Sequence, residues 1–373
     1  MRLYLIAGEA SGDLHGANLL KALYRQQPQL LCRAWGGDLM QNAGATLVKH
    51  YRDLAFMGFV EVVKNLRTIL ANISFCKRDI IEFKPDALVL IDYPGFNLRI
   101  ARWAKEQGIP VVYYITPQLW AWHASRAHAI RRDVDKLLVI LPFEQEFFKK
   151  YDIEAKFVGH PLLDEMLNAG LIPDGRSESI GPSITRQIAL LPGSRKQELS
   201  RILPRMLEVT QDFPGYQFVV AGTASLPKEY YQSLLKNYPN VKLEIGQTYE
   251  VLRCSQAALV KSGTSTLETA LLNVPQVVCY AGNWLSYQIA KRLVKVKYIS
   301  LVNLIIDRPI VRELIQDELN RKNLREALAD ILDSTKSKIL QTSYTELRER
   351  LGGGGASERA AKEILSLGAD AGI

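Results

Sequence analysis

Arg2-Leu3-Tyr4-Leu5-Ile6-Ala7-Gly8-Glu9-Ala10-Ser11-Gly12-Asp13-Leu14-His15-Gly16 opens the chain. Arg2–Ala7 is short, almost wholly apolar and stopped by a glycine, which reads as a buried strand. Ala17–Gln26 then has the length and polar/apolar spacing of a helix. The strand–turn–helix unit recurs along the chain. Further candidate strands are Leu31–Trp35, Ala87–Ile91, Val111–Ile115 and Lys136–Leu141. A second set follows at Gln187–Leu191, Gln217–Ala221, Lys242–Ile245, Ala257–Lys261 and Gln276–Tyr280, with helix-length segments such as Leu199–Phe213 between them. Alternation of this kind predicts an α/β fold with parallel sheets covered by helices on both faces, and two sets predict two doubly wound domains.

The length, 373 residues, suits two domains. Asn168–Thr185 is crowded with Gly170, Pro173, Gly175, Ser177, Ser179, Gly181, Pro182 and Ser183, so it is the expected boundary, separating 1–167 from 186–350. Gly352–Gly355 is a flexible break before a helical Ala356–Leu367, making 351–373 a glycine linker and terminal helix. That helix has three open destinations: its own domain, the other domain, or a partner subunit. Hydrophobic residues at 47% and charged residues at 23% are ordinary globular values and exclude wholesale disorder or a fibre. The net charge of +8 favours anionic partners, whether phosphorylated substrates, nucleic acid or a membrane surface. Cys32, Cys76, Cys254 and Cys279 form no CxxC pair and read as reduced thiols of a cytoplasmic protein. The apolar start is too short for a signal peptide, and no uncharged apolar stretch reaches the ~18–20 residues that cross a bilayer. A cytoplasmic chain is expected, at most lying on a membrane.

Open parallel sheets bind ligands beyond the carboxyl ends of their strands, so the residues delivered there carry the functional reading. After Arg2–Ala7 the glycines run GxxxGxxxG, which is not the GxGxxG dinucleotide pattern, yet a glycine turn into a helix offers an anion site. Glu9, Asp13 and His15 add acid–base groups to this turn. The plainer alternative is that Gly12 and Gly16 only allow close packing while Asp13 favours a positive helix end. Asp92-Tyr93-Pro94-Gly95-Phe96-Asn97 follows Ala87–Ile91. A carboxylate at the end of a buried strand is partly desolvated, which raises its basicity; the alternative is a turn cap. Trp120 and Trp122 make either a wall for an apolar or sugar-ring substrate or the packing of an irregular loop. His123 and His128 are five apart and do not share a helix face as zinc ligands do.

In the second half, Leu190-Leu191-Pro192-Gly193-Ser194-Arg195-Lys196-Gln197-Glu198 passes from strand to helix. Ser194 and Gln197 fit a capping box that places the helix start at Gly193–Ser194, where free N–H groups and Arg195 suit a diphosphate. The alternative is an ordinary capped helix with an exposed arginine. Ser262-Gly263-Thr264 opens another small, hydroxyl-rich turn. Glu268 either completes a capping box with Ser265 or accepts from two ribose hydroxyls. Two anion-ready helix starts in one half imply a nucleotide. Asp133-Val134-Asp135 matches a metal-holding DxD, but it precedes a strand, at the wrong end, and reads as a solvated surface turn. No metal is expected. Val60, Val63, Leu66, Leu70 and Ile73 follow helical spacing beside Lys64, Arg67, Lys77 and Arg78, giving a core-facing helix or a basic-rimmed one on anionic lipid. Lys291–Lys297 is a second basic cluster. No basic stripe with interleaved aromatics appears, so nucleic acid is not an expected partner.

Taken together, Gly8–Asp13, Met57–Val62, Lys84-Pro85-Asp86, Asp92–Asn97, Trp120-Ala121-Trp122, Leu141–Glu144, Val158-Gly159-His160, Leu191–Arg195, Ser262-Gly263-Thr264 and Ala290–Lys295 resemble the bacterial lipid-A-disaccharide synthase family over nearly the whole chain. The resemblance implies the GT-B architecture, two Rossmann-like domains facing a cleft, with acceptor in the first and UDP-sugar in the second. It implies an inverting, metal-independent glycosyltransferase without a cofactor. The reaction joins UDP-2,3-diacylglucosamine to 2,3-diacylglucosamine-1-phosphate and releases UDP, at the cytoplasmic face of the inner membrane. On this reading Asp92 corresponds to the base and Glu9 and Asp13 to other active-site positions. His15 departs from members with an apolar residue there. Gly193, Ser194, Arg195, Ser262, Gly263, Thr264, Glu268 and Asn303 would hold UDP; Met57, Phe59, Val60, Trp120 and Trp122 would face acceptor and lipid. The family's exchange of C-terminal segments between subunits would make a second copy a partner. Two alternatives stay open: another GT-B UDP-sugar enzyme (a lipid-carrier transferase or an epimerase), and a non-catalytic sugar-nucleotide or lipid-binding protein.

Overall fold

The computed structural model describes residues 1–54, 66–121, 124–172, 186–283, 287–288 and 296–370. They divide into two units, one of 1–164 with 351–373, the other of 165–350. Seven parallel strands form the first sheet: β1 (Arg2–Ala7), β2 (Leu31–Gly36), β3 (Thr46–His50), β4 (Ala87–Ile91), β5 (Val111–Tyr114), β6 (Lys136–Val139) and β7 (Ala155–Phe157). Their order is β3-β2-β1-β4-β5-β6-β7. The second sheet contains β8 (Gln187–Leu191), β9 (Gln217–Gly222), β10 (Val241–Ile245), β11 (Ala257–Lys261), β12 (Gln276–Tyr280) and β13 (Arg312–Ile315), in the order β10-β9-β8-β11-β12-β13.

Central strands such as β4 are buried at every residue because helices cover both faces, which is why they read as unbroken apolar runs. Chain order reverses between β1 and β4 in one sheet and between β8 and β11 in the other. A crevice opens beyond the strand ends at such a switch point. It falls at Gly8-Glu9 and Asp92 in the first unit, and at Gly193–Arg195 and Ser262–Thr264 in the second. The three strands the sequence did not announce, β3, β7 and β13, all lie on sheet edges, and at most one residue of each is buried, Ala155 in β7 and Leu314 in β13. Lys136–Leu141 ends as a strand at Val139, because the Ile140 and Leu141 N–H groups donate to the Glu144 carboxylate instead of a ladder.

The terminal helix, Ala356–Asp370, belongs to the first unit. Ala360, Ala361 and Ile364 are fully buried in the same cluster as Leu19, Leu20 and Leu23 of helix Ala10–Gln26. Asp164 caps it, accepting from the N–H groups of Gly355 (2.6 Å), Ala356 (3.1 Å) and Ser357 (2.8 Å). Of the three destinations open in the sequence, the helix takes the one across the chain. Helix Leu66–Phe83 buries Ile73, Cys76, Ile80 and Phe83 beside Tyr4 and Trp35, and leaves Leu70, Phe75 and Ile81 exposed. Met57, Phe59, Val60, Trp122, His123, Lys291, Arg292 and Lys295 lie outside the described residues.

Candidate active site

In the first unit, Asp92 sits directly after β4 with φ 46°, and Tyr93 follows at φ 49°. Two successive non-glycine residues in the left-handed region cost on the order of 1–3 kcal/mol each, and the surroundings must hold them there. The Asp92 carbonyl accepts from Asn97 Nδ2 (2.7 Å) and from the Tyr113 hydroxyl (2.7 Å), and its N–H donates to the Ile115 carbonyl (3.1 Å). Asn97 and Tyr113 are both completely buried, so the brace is rigid. The Tyr93 ring in turn covers Gly8, where a Cβ would lie 2.3 Å from ring carbons; this glycine is required for close approach.

Burial pushes the Asp92 carboxyl up, the nearby Glu9 charge pushes it further, and it reaches about 6, against a partial offset from the Tyr93 N–H. Glu9 itself is exposed at the start of helix Ala10–Gln26, with no cap bond from its side chain. This helix starts at Ala10, so Gly12 and Gly16 lie inside it, where a Cβ would meet Ala7 Cβ at 3.1 Å and Met40 Sδ at 2.6 Å. Close packing accounts for both glycines.

Asp13 has its carboxylate engaged with the backbone. It is buried, and its carboxylate accepts from the N–H groups of Gly37 (2.7 Å), Met40 (3.0 Å) and Leu39 (3.2 Å). It caps helix Asp38–Asn42 from outside. Burial holds His15 down at about 4, so the ring is neutral at pH 7.

Trp120 is half-buried. Its Nε1 donates to Glu144 Oε1 (3.3 Å) and its ring meets Phe143 edge-on. Glu144 received no role in the sequence reading, yet it is almost fully buried and also accepts from Thr116 Oγ1 (3.1 Å), Ile140 N (3.2 Å) and Leu141 N (3.0 Å). Burial pushes it up to about 7 in spite of these bonds. The sequence signal was an acidic residue two positions past a Pro, at a strand end, inside an otherwise apolar stretch. Asp133, expected in a solvated turn, is buried and bound by Arg132 Nε and Nη2, while Asp135 pairs with Lys105 and accepts from Val111 N. Asp135 alone braces the start of β5.

In the second unit the Gly193 turn forms, but the capping box does not. Helix Lys196–Glu208 begins two residues later than expected, with Arg195 at its cap position and no side-chain cap. Glu198, not Gln197, reaches back, its Oε2 accepting from the Ser194 N–H at 3.3 Å. Gly193 has φ 107°, and a Cβ there would lie 2.5 Å from Glu198 Oε2, so both conformation and space demand glycine. Helix Thr264–Leu271 is capped by Gly263, so Ser265 and Glu268 form no capping box either. The Glu268 carboxylate instead accepts from the Tyr249 hydroxyl (3.1 Å), which also lies 3.5 Å from Glu165. Burial raises the Glu268 carboxyl, against these hydrogen bonds from Tyr249 and Ser265. Ser262 Oγ donates to the Ile299 carbonyl. Asn303 is buried with its amide committed: Nδ2 donates to Val311 O and Glu313 Oε1, and Oδ1 accepts from Val311 N. It shapes the turn after helix Leu301–Ile306 rather than offering a free amide.

A family model described as Lipid-A-disaccharide synthetase matches residues 3–366. The chain is 39% identical to the lipid-A-disaccharide synthase of Trichlorobacter lovleyi over 98% of this chain and 97% of that one. It is 40% identical to that of Syntrophus aciditrophicus over 97% of each. Among solved structures, UDP-GlcNAc 2-epimerase from Neisseria meningitidis bound to UDP-GlcNAc has a TM-score of 0.68 at 14% identity, covering 98% of this chain and 100% of that one. The glycotransferase of kitacinnamycin has a TM-score of 0.65 at 14% identity, covering 98% of each chain. At such identities these two show the fold, which is GT-B.

Proposed function

The chain belongs to the lipid-A-disaccharide synthase family, and from that premise we propose which of its residues run the glycosyl transfer. The enzyme is a glycosyltransferase that makes the lipid A disaccharide. Its donor is UDP-2,3-diacylglucosamine and its acceptor 2,3-diacylglucosamine-1-phosphate. Asp92 takes the proton from the acceptor's attacking hydroxyl as the anomeric carbon–oxygen bond to UDP breaks from the opposite face. The observation that carries this role is the strained, braced and desolvated position of Asp92, whose carboxyl is raised to about 6 and so is ionised yet basic at neutral pH. Glu9 contributes negative charge that keeps Asp92 basic. Trp120, held by Glu144, faces the acceptor.

The second unit holds UDP. Arg195 and the N–H groups of the Gly193–Ser194 turn take the diphosphate, with Ser262, Gly263 and Thr264 forming the adjoining turn. Glu268, steadied by Tyr249, accepts from the ribose, and Asn303 supports the site from behind through its turn. Charge accumulates on the leaving diphosphate, so these groups favour the transition state over the ground state. Asp92→Asn is expected to lower kcat by ~10²–10⁴-fold while UDP affinity stays at its wild-type value. Near-normal turnover would remove Asp92 from the mechanism. The epimerase alternative rests on fold likeness alone, and product analysis with the two acylated sugars decides it: a disaccharide phosphate is expected.

Both substrates carry acyl chains, so the enzyme works at a membrane face. No described helix is long and apolar enough to cross one. Peripheral attachment is supported by the net charge of +8 and by Leu70 and Phe75, exposed near Arg67 and Arg78 on helix Leu66–Phe83.

A further inference from the structure

Lys261, the last residue of β11, was not singled out by the sequence. Its strand lies beside β8, so the ends of the two strands deliver their turns next to each other. Lys261 Nζ is 3.0 Å from Glu198 Oε1, and Arg195 Nη1 is 3.7 Å from the same oxygen. The other oxygen, Oε2, accepts from the Ser194 N–H at 3.3 Å. The Lys261 and Glu198 side chains are only 23% and 19% exposed. A Cβ on Gly263 would lie 3.7 Å from Lys261 Nζ, so the ammonium stands against the Ser262–Thr264 turn as well. A backbone N–H, a guanidinium and an ammonium thus converge from two turns on one carboxylate. Donors of these kinds, arranged around an anion, are what a phosphate group requires. The absence of a side chain at Gly193 leaves room for the group in this position, where a Cβ would lie 2.5 Å from Glu198 Oε2.

We propose that Lys261 is a diphosphate-binding residue and that the Glu198 carboxylate is its internal stand-in, occupying the anion position until a nucleotide diphosphate displaces it. This rests on the reading that the Gly193–Arg195 turn binds UDP. The carboxylate keeps the two cations and the Ser194 N–H pointed inward in the free enzyme. It also opposes the incoming diphosphate, since two anions cannot share these donors without repulsion. Opposite effects follow for neighbouring substitutions.

The test is titration of the full-length protein with UDP, UMP and uridine by calorimetry. Lys261→Met should weaken UDP on the order of tenfold, UMP less, and uridine not at all. Glu198→Gln, which keeps an oxygen for the Ser194 N–H and removes the charge, should tighten UDP severalfold and leave uridine unchanged. Unchanged UDP affinity in Lys261→Met, with Arg195→Ala still weakened, overturns the role of Lys261 and leaves the UDP site standing. Unchanged affinity in both overturns the UDP site itself. Weaker UDP binding by Glu198→Gln overturns the stand-in role, because the carboxylate would then be a support for the bound turn. A loss of uridine affinity in Lys261→Met equal to its loss of UDP affinity also overturns the assignment, since a diphosphate ligand acts on charge.

Discussion

Asp92 shows how a single carboxylate is made reactive and what that costs the fold. Its ionised form is disfavoured by burial and by Glu9, so kcat/KM should rise with pH through about 6 and level off above it. Glu9→Gln removes the neighbouring charge, and the rise should move to lower pH; an unmoved profile would show that Glu9 does not act on Asp92 electrostatically. The same shift sets a stability effect of known sign. The folded carboxyl binds its proton more tightly than the unfolded one, whose ordinary value is 3.8. Folding therefore loses stability as pH climbs from about 4 to about 6. The loss is complete above that, amounting to at most about 3 kcal/mol before solvent screening. Asp92→Asn should accordingly raise Tm at pH 7.5, with the gain vanishing near pH 3.5. Asp13 makes the contrasting case. The same residue type, set in the first turn of helix Ala10–Gln26 rather than at a strand end, spends its oxygens on three N–H groups and becomes a cap. Nothing in the local sequence separates the two, because the partners of Asp13 come from Gly37–Met40.

At the scale of elements, caps and strand ends decide what each turn can do. Asp164 closes the start of helix Ala356–Asp370 across nearly two hundred residues of sequence, with three hydrogen bonds. Asp164→Ala should cost about 2 kcal/mol locally and speed amide hydrogen exchange across 356–370 more than elsewhere. Uniform exchange behaviour would mean that burial of Ala360, Ala361 and Ile364 holds the helix without the cap. Helix Leu66–Phe83 answers the sequence's ambiguity with both faces in use: one is in the core, the other carries exposed Leu70 and Phe75. Leu70→Glu combined with Arg67→Glu should weaken binding to anionic vesicles several-fold in a flotation assay, and equal binding would place the membrane contact elsewhere. The capping boxes at Ser194 and Ser265 were legible as patterns and are absent as structures. In the first, Glu198 one position further on reaches the turn because the helix starts later.

Across the whole molecule, the proposed membrane attachment draws on the net charge of +8, so raising salt from 0.05 to about 0.5 M should reduce binding to anionic vesicles; salt-independent binding would leave only apolar insertion. The two sheets were written in the sequence itself, whereas the strand order that sets their switch points was not. Buried parallel strands must be apolar along their whole length, and glycine must stand where a turn closes under a strand end, as at Gly8 and Gly193. Edge strands β3, β7 and β13 escaped notice because a half-covered strand needs no such run. The local chain thus determined the fold class, the family and the strand-end position of Asp92. Only the tertiary structure decided which charges face each other: Glu9 beside Asp92, Tyr249 on Glu268, and Lys261 with Arg195 around Glu198. Electrostatic interaction depends on distance through space and on the water that burial removes, and neither quantity is a property of neighbouring residues along a chain.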